Sequence, residues 1–310
     1  MTTSAAIFPG QGAQLVGMGH DVAQQHAVAS ETFAEADSVL GFELSKLCFE
    51  GPADRLNATD IQQPAIFTTS VALYRAGIDA GRFQRDEFQA MGGLSLGEYT
   101  ALHLAEAVSF ADALRLVARR GQLMQQAAEQ SSGGMVSLIG ADEQKALALC
   151  ERVRDKGHVQ PANFNCPGQI VISGDKPACD VAAELAAEVG CRAVPLPVAG
   201  AFHSEHMRPA AKGLRPVLEE TTFHAPKVRV IANVSADYHQ DPAAIRDALY
   251  RQVISPVLWQ ACVERLIADG CGQFWEIGPN RHLTGMMRKI NRKMRTTNVS
   301  VVGDLAPTAI

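Results

Sequence analysis

Apolar positions fall in two patterns along this chain, short apolar runs and longer stretches with every third or fourth residue apolar, and the switches mark its elements. The chain opens with a short apolar strand, Ala5 to Phe8, that runs straight into Pro9-Gly10-Gln11-Gly12-Ala13-Gln14. A glycine-rich loop placed directly after a strand brings backbone N–H groups close to a ligand. Helical periodicity then holds to about residue 80. The next strand is Phe88 to Met91, ended by a turn at Gly92-Gly93, and two helices follow, from about Leu96 to Glu106 and from about Phe110 to Glu129.

Beyond Gly133-Gly134 the pattern changes. Met135 to Ile139 reads as a strand and Asp142 to Val153 as a helix. Val159 to Phe164 and Ile170 to Ser173 read as strands around Asn165-Cys166-Pro167-Gly168, followed by a helix over Pro177 to Val189 and a strand over Cys191 to Leu196. That β-α-β-β-α-β order is ferredoxin-like. The longer pattern then resumes: a helix after Ser204, a strand Val228 to Ala232, two helices between Ala243 and Ala268, a strand Gln273 to Ile277, and a last helix from about Arg281 to Lys293. Strands alternating with long helices on both sides of the insertion predict an α/β protein, a mainly parallel sheet wrapped by helices. The expected division is a large domain from residues 1–130 and 200–310 and an inserted ferredoxin-like subdomain over 131–199.

Composition narrows the function classes. The 310 residues carry 28 basic and 33 acidic side chains, a net charge of −5, which offers nucleic acid no basic face. No apolar run reaches the ~18 residues of a membrane span, and Met-Thr-Thr-Ser is not the charged start of a leader. Cys48, Cys150, Cys166, Cys179, Cys191, Cys262 and Cys271 are scattered with no CxxC pair, which fits reduced thiols rather than a disulfide frame or a zinc site. The expectation is a cytoplasmic enzyme.

The sharpest local motif is Gly93-Leu94-Ser95-Leu96-Gly97, a G-x-S-x-G between a strand and a helix. Such a bend exposes the serine hydroxyl and puts the next N–H at a helix start, where it faces a developing oxyanion. A bare glycine-rich turn with a serine N-cap gives the same letters; the strand before and helix after favour the nucleophile. A serine nucleophile needs a base. Among nine histidines, His203 and His206 stand where the chain leaves the insertion, and context leaves the choice between them open.

Arg120 is out of place on its helix. It lies at helical spacing from Leu116, Val117, Leu123 and Met124 and so shares their apolar face, whereas Arg119 falls with Arg115, Gln122 and Gln126. A guanidinium pointing inward needs an anion. An internal Asp or Glu is one source; a substrate carboxylate is the other, and its bidentate geometry suits arginine.

Together these motifs spell a family. Phe8-Pro9-Gly10-Gln11-Gly12-Ala13-Gln14, Gly93-Leu94-Ser95-Leu96-Gly97-Glu98-Tyr99, Arg120-Gly121-Gln122-Leu123-Met124-Gln125, Asn163-Phe164-Asn165-Cys166-Pro167-Gly168-Gln169, Gly200-Ala201-Phe202-His203-Ser204 and Glu276-Ile277-Gly278-Pro279 resemble malonyl-CoA:acyl-carrier-protein transacylases, acyltransferases of fatty-acid and polyketide synthesis. The resemblance runs from residue 7 to about 285. It implies a hydrolase-like α/β domain with a ferredoxin-like subdomain. It also implies Ser95 as the acylated nucleophile, His203 as its base, and the N–H groups of Gln11 and Leu96 as the oxyanion hole. Arg120 would grip the malonyl carboxylate, the main-chain carbonyl of Gln252 would orient the histidine, and Asn163 would line the site. Phe202 matches malonyl-selective members. One departure is plain: the family usually has His before the nucleophile, and here it is Leu94.

The implied reaction is ping-pong and uses no metal or redox cofactor, the coenzyme A thioester being a substrate. The implied partners are malonyl-CoA and an acidic acyl carrier protein, with the enzyme a monomer. Arg288, Lys289, Arg292, Lys293 and Arg295 are basic residues near the last helix's C-terminus, where they suit the helix dipole or a docking patch. The alternative is an acyl-carrier-protein acyl hydrolase using the same Ser95–His203 pair, against which Arg120 argues. A carrier-binding scaffold would not need nucleophile, base and anion fork together, and Gly10-Gln11-Gly12 lacks the further glycine or lysine of a nucleotide loop.

Overall fold

The computed structural model describes residues 3–306. Met1 and Thr2, part of the N-terminus expected to carry no leader, lie outside the described residues, as do residues 307–310 of the expected large domain. In chain order the strands are β1 (Thr3–Phe8), β2 (Phe88–Gly93), β3 (Gly133–Ala141), β4 (Val159–Cys166), β5 (Gly168–Asp175), β6 (Arg192–Pro195), β7 (Arg229–Val230), β8 (Cys271–Ile277) and β9 (Arg295–Val299).

The larger sheet has the order β7-β2-β1-β8-β9, and every pairing in it is parallel. β1 is the middle strand, and helices cover both faces. That explains its uninterrupted Ala-Ala-Ile-Phe, buried throughout, where a one-sided strand would alternate. Helix Thr59–Asp79 is buried nearly all round, which is why its apolar pattern shows little sidedness; helix Phe110–Glu129 packs along it.

The second sheet is antiparallel with order β4-β5-β3-β6, the ferredoxin-like arrangement, and carries helices Glu143–Arg152 and Lys176–Leu185. Period-2 alternation divides its side chains between two cores. Val136, Leu138, Ile170 and Ile172 pack with Leu149 and Cys179 in a cluster of the subdomain's own, while Met135 and Val171 join the main core. The cysteines are all unpaired, and no described helix is long and apolar enough to cross a membrane.

The structure departs from the sequence pattern at the sheet's margins. β7 covers only Arg229–Val230 of the expected Val228–Ala232, because the chain turns back at once: Ile231 bridges to Tyr238, and Ala232 N–H donates to the Asp237 carbonyl. The last helix is His282–Ile290 and stops short of Lys293, since Asn291 is extended and closes on the Met287 carbonyl. The chain then enters β9, unanticipated because Arg-Thr-Thr-Asn-Val is short and mostly polar; as an edge strand it buries fully only Val299.

Candidate active site

β1 and β2 lie side by side with Phe8 opposite Gly93, so the loop after β1 and the serine bend after β2 meet at the carboxyl end of the sheet. Open parallel sheets place their ligands at that end. Leu94 N–H donates to the Phe8 carbonyl at 3.1 Å, and helix Leu96–Leu104 starts immediately beyond the bend. Both glycines of the motif are required by contact. A Cβ at Gly93 would fall inside the van der Waals shell of the Gly97 backbone, and one at Gly97 inside that of the Phe8 carbonyl.

Ser95 at the apex has φ 52° and ψ −99°, a left-handed conformation that costs a non-glycine residue ~1–3 kcal/mol. Its surroundings hold it there. Ser95 N–H donates to Asn233 Oδ1 at 2.6 Å, and Asn233 Nδ2 donates to the Gly93 carbonyl at 2.8 Å. Leu96 N–H, first in its helix, and Gln11 N–H, in the glycine-rich loop, donate to no other described group.

The two histidines between which context left the choice open differ in position. His203, buried and itself at φ 57°, puts Nε2 2.9 Å from Ser95 Oγ. His206 instead puts Nε2 2.8 Å from Asp175 Oδ1, away from the serine. His203 Nδ1 lies 2.8 Å from the main-chain carbonyl of Gln252. A carbonyl only accepts, so Nδ1 carries the proton and Nε2 of the neutral ring is left to accept from Ser95. Burial, and secondarily the charge of Arg120, lower the His203 pKa to about 4, so the ring is neutral at ordinary pH.

Arg120 is buried, as its helix spacing predicts, while Arg119 is exposed. No described carboxylate pairs with it. Nη1 donates to Gln63 Oε1 at 2.7 Å, Nη2 to Ser95 Oγ at 2.9 Å and to Gln252 Oε1 at 3.0 Å, and the guanidinium lies over the Tyr99 ring at 5.2 Å. Nε has no partner. Burial lowers its pKa, opposed by Tyr99 and Glu98. A buried cation with neutral ligands and an unengaged donor has the chemistry to accept an anion from outside.

Several residues at this centre were not singled out from the sequence. Gln63 sits in the buried helix Thr59–Asp79, and its one signal was polarity within an apolar run. Glu98 is fully buried in the turn after Ser95 and receives Gln252 Nε2 at 2.7 Å, Asn233 N–H at 3.0 Å and a contact with His239 Nε2 at 2.9 Å. Nothing local marks Asn233 or His239; they arrive from beyond β7.

The other expected residues lie around this centre at varying remove. Phe202 is buried beside His203 in the main core. Asn163 is half-buried at a parallel bridge to Val257 and makes no hydrogen bond to Ser95, His203 or Arg120. That bridge, with Phe164 N–H donating to the Val257 carbonyl at 2.9 Å, ties the second sheet to the segment carrying Gln252. Leu94 packs against the apolar cluster of Trp259 and Val257. Arg288, Lys289, Arg292, Lys293 and Arg295 are all exposed, and none has a carboxylate partner among the described residues.

The fold and the chemistry gathered at its strand ends place the chain among α/β enzymes that handle acyl groups. It belongs to the acyl transferase domain family, whose model matches residues 6–309, and is an acyltransferase. It is 43% identical over 302 residues to the malonyl CoA-acyl carrier protein transacylase of Bacillus subtilis strain 168, covering 97% of this chain and 94% of that one. Among solved structures it resembles an acyl carrier protein S-malonyltransferase from Vibrio cholerae, with 43% identity, a TM-score of 0.93, and coverage of 98% of this chain and 99% of that one. It also resembles a malonyl-transacylase in complex with its type II PKS acyl-carrier protein, at 41% identity, TM-score 0.94 and 98% coverage of both chains.

Proposed function

We propose that this acyltransferase moves a malonyl group from malonyl-CoA to the phosphopantetheine thiol of an acyl carrier protein, through a malonyl ester on Ser95. One observation carries the reading: Ser95 Oγ lies 2.9 Å from both His203 Nε2 and Arg120 Nη2, so one hydroxyl faces a neutral base on one side and an anion receptor on the other. The names of the relatives support malonyl as the group and a carrier protein as the acceptor.

In the proposed sequence, His203 Nε2 takes the Ser95 proton as Oγ attacks the thioester carbonyl. The tetrahedral oxyanion is met by the N–H groups of Gln11 and Leu96; losing one such donor typically costs ~2.7–4 kcal/mol of barrier. The C–S bond breaks, coenzyme A leaves as the thiol with the proton from His203, and malonyl stays as the ester. The carrier's thiol then gives its proton to His203, attacks the ester carbonyl and takes the acyl group, and Ser95 recovers its proton. Arg120 holds the far carboxylate throughout, so acetyl, which has none, is a poor substrate. The scheme draws on no metal or redox group. The exposed basic residues from Arg288 to Arg295 form the docking patch for the acidic carrier.

The test is intact-protein mass after brief mixing with malonyl-CoA or acetyl-CoA, with and without holo carrier protein. The expected result is a malonyl adduct that needs Ser95, is weak with acetyl-CoA, and moves to the carrier. Release of free malonate without loading the carrier would overturn the transferase reading in favour of a hydrolase.

A further inference from the structure

Next to the site is a buried carboxylate–imidazole pair that the proposed reaction does not use. Glu98 and His239 are both buried, with Glu98 Oε1 2.9 Å from His239 Nε2. The other oxygen, Oε2, receives Gln252 Nε2 at 2.7 Å and Asn233 N–H at 3.0 Å. These two residues are the ones that touch the reacting groups from behind. Asn233 holds Ser95 N–H, and Gln252 supplies the carbonyl facing His203 Nδ1.

The Gln252 side chain has one donor end and one acceptor end. Glu98 and the Ser95 carbonyl, at 3.0 Å, both claim the donor end, which leaves Oε1 turned to Arg120 Nη2. One amide therefore stands between a guanidinium and a carboxylate that would otherwise pair directly. A direct pair would satisfy the guanidinium from inside and close it to substrate; with no carboxylate nearby, the buried cation would lack a counter-charge. The interposed amide avoids both.

We infer that Glu98, braced by His239, is a positioning residue for carboxylate selection: it fixes which end of Gln252 faces Arg120 and keeps the guanidinium charged yet open to an external anion. The inference rests on the reading of Arg120 as the fork for the malonyl carboxylate. Glu98 touches neither Ser95 Oγ nor His203; it acts through its hydrogen bonds to Gln252 and Asn233 and through its charge on Arg120.

The test is the ratio of Ser95 loading by malonyl-CoA to loading by acetyl-CoA, measured as kcat/KM in wild type and two variants whose folding is checked by near-UV circular dichroism. Glu98→Met removes the charged acceptor and the nearby counter-charge, and leaves the Ser95 carbonyl alone to hold the donor end of Gln252. The ratio should fall by about tenfold or more, mainly through KM for malonyl-CoA, the scale of losing a charge-assisted hydrogen bond. The paired exchange Glu98→Gln with Gln252→Glu keeps one buried charge and one amide but reverses their order, which protects folding should Glu98→Met fail. Its carboxylate pairs directly with Arg120, so malonyl loading should again fall by about tenfold or more relative to acetyl. A purely structural role would lower both loadings in parallel and leave the ratio unchanged, which would overturn the inference. A wild type without malonyl preference would remove the parent reading and this one with it. A wild-type preference that survives both variants would remove this one alone.

Discussion

Arg120 Nη2 donates a hydrogen bond to Ser95 Oγ at 2.9 Å, so the group proposed to hold the far end of the acyl chain touches the group proposed to attack its near end. The guanidinium reaches that point from helix Phe110–Glu129 and the hydroxyl from the bend after β2, two elements apart in the fold. Recognition and attack are thereby set at a fixed spacing. Arg120→Ala should lower kcat/KM for malonyl-CoA by about 10–100-fold and that for acetyl-CoA much less, as expected for one charge-assisted contact. Equal losses for both thioesters, measured by initial rates of coenzyme A release, would remove Arg120 from carboxylate recognition.

His203 should act as a base over an unusually wide acid range. Burial and the neighbouring Arg120 charge disfavour the imidazolium, and so its pKa falls from 6.5 to about 4. The proton that would disable the base therefore binds only at lower pH. The acid limb of kcat/KM against pH should lie near 4, and Arg120→Ala, by removing one of the two causes, should move it upward. A wild-type limb centred at the ordinary histidine value would contradict a neutral, buried base.

Ser95→Ala and His203→Ala should each lower transfer by roughly 10³–10⁶-fold, and the double variant should be no worse than the poorer single, since the two act as one unit. Single-turnover loading of carrier protein measures this. Independent, multiplying losses would show that the pair does not share a proton.

Gly97→Ala should destabilise the fold by more than ~1–3 kcal/mol, the usual range for overpacking, because the added Cβ meets the backbone carbonyl of Phe8, which cannot swing aside. Gly285→Ala, in an exposed helical position with open space around it, should be neutral or stabilising by up to ~1 kcal/mol. Urea titrations of the two variants give the comparison; similar midpoints would show that the bend does not need the close approach.

Reversing charge at Arg288 and Lys289 should raise the apparent KM for carrier protein, more strongly at low salt, and leave KM for malonyl-CoA unchanged. Unchanged constants for both substrates would retire the docking patch.

Much of the fold was legible because its signals are local. The turn at Gly93-Leu94-Ser95-Leu96-Gly97 and the β-α-β-β-α-β order are written in spacing over a few tens of residues, and the inward face of Arg120 follows from helical arithmetic. β9 was not legible, because an edge strand needs few apolar side chains and its pairing with β8 is decided by the sheet.

The sequence by itself therefore determined most of the elements away from the sheet's margins, the serine bend and the inward-facing arginine, each set by backbone sterics or helical period within one segment. Only the tertiary structure decided that His203 and not His206 meets Ser95, that no described carboxylate pairs with Arg120, and that Glu98, Asn233, His239 and Gln252 form one buried network behind the site. The physical reason is distance along the chain. Ser95 and Asn233 are 138 residues apart and Glu98 and Gln252 154 apart, and no local pattern records which buried polar groups a parallel sheet will bring together to satisfy one another.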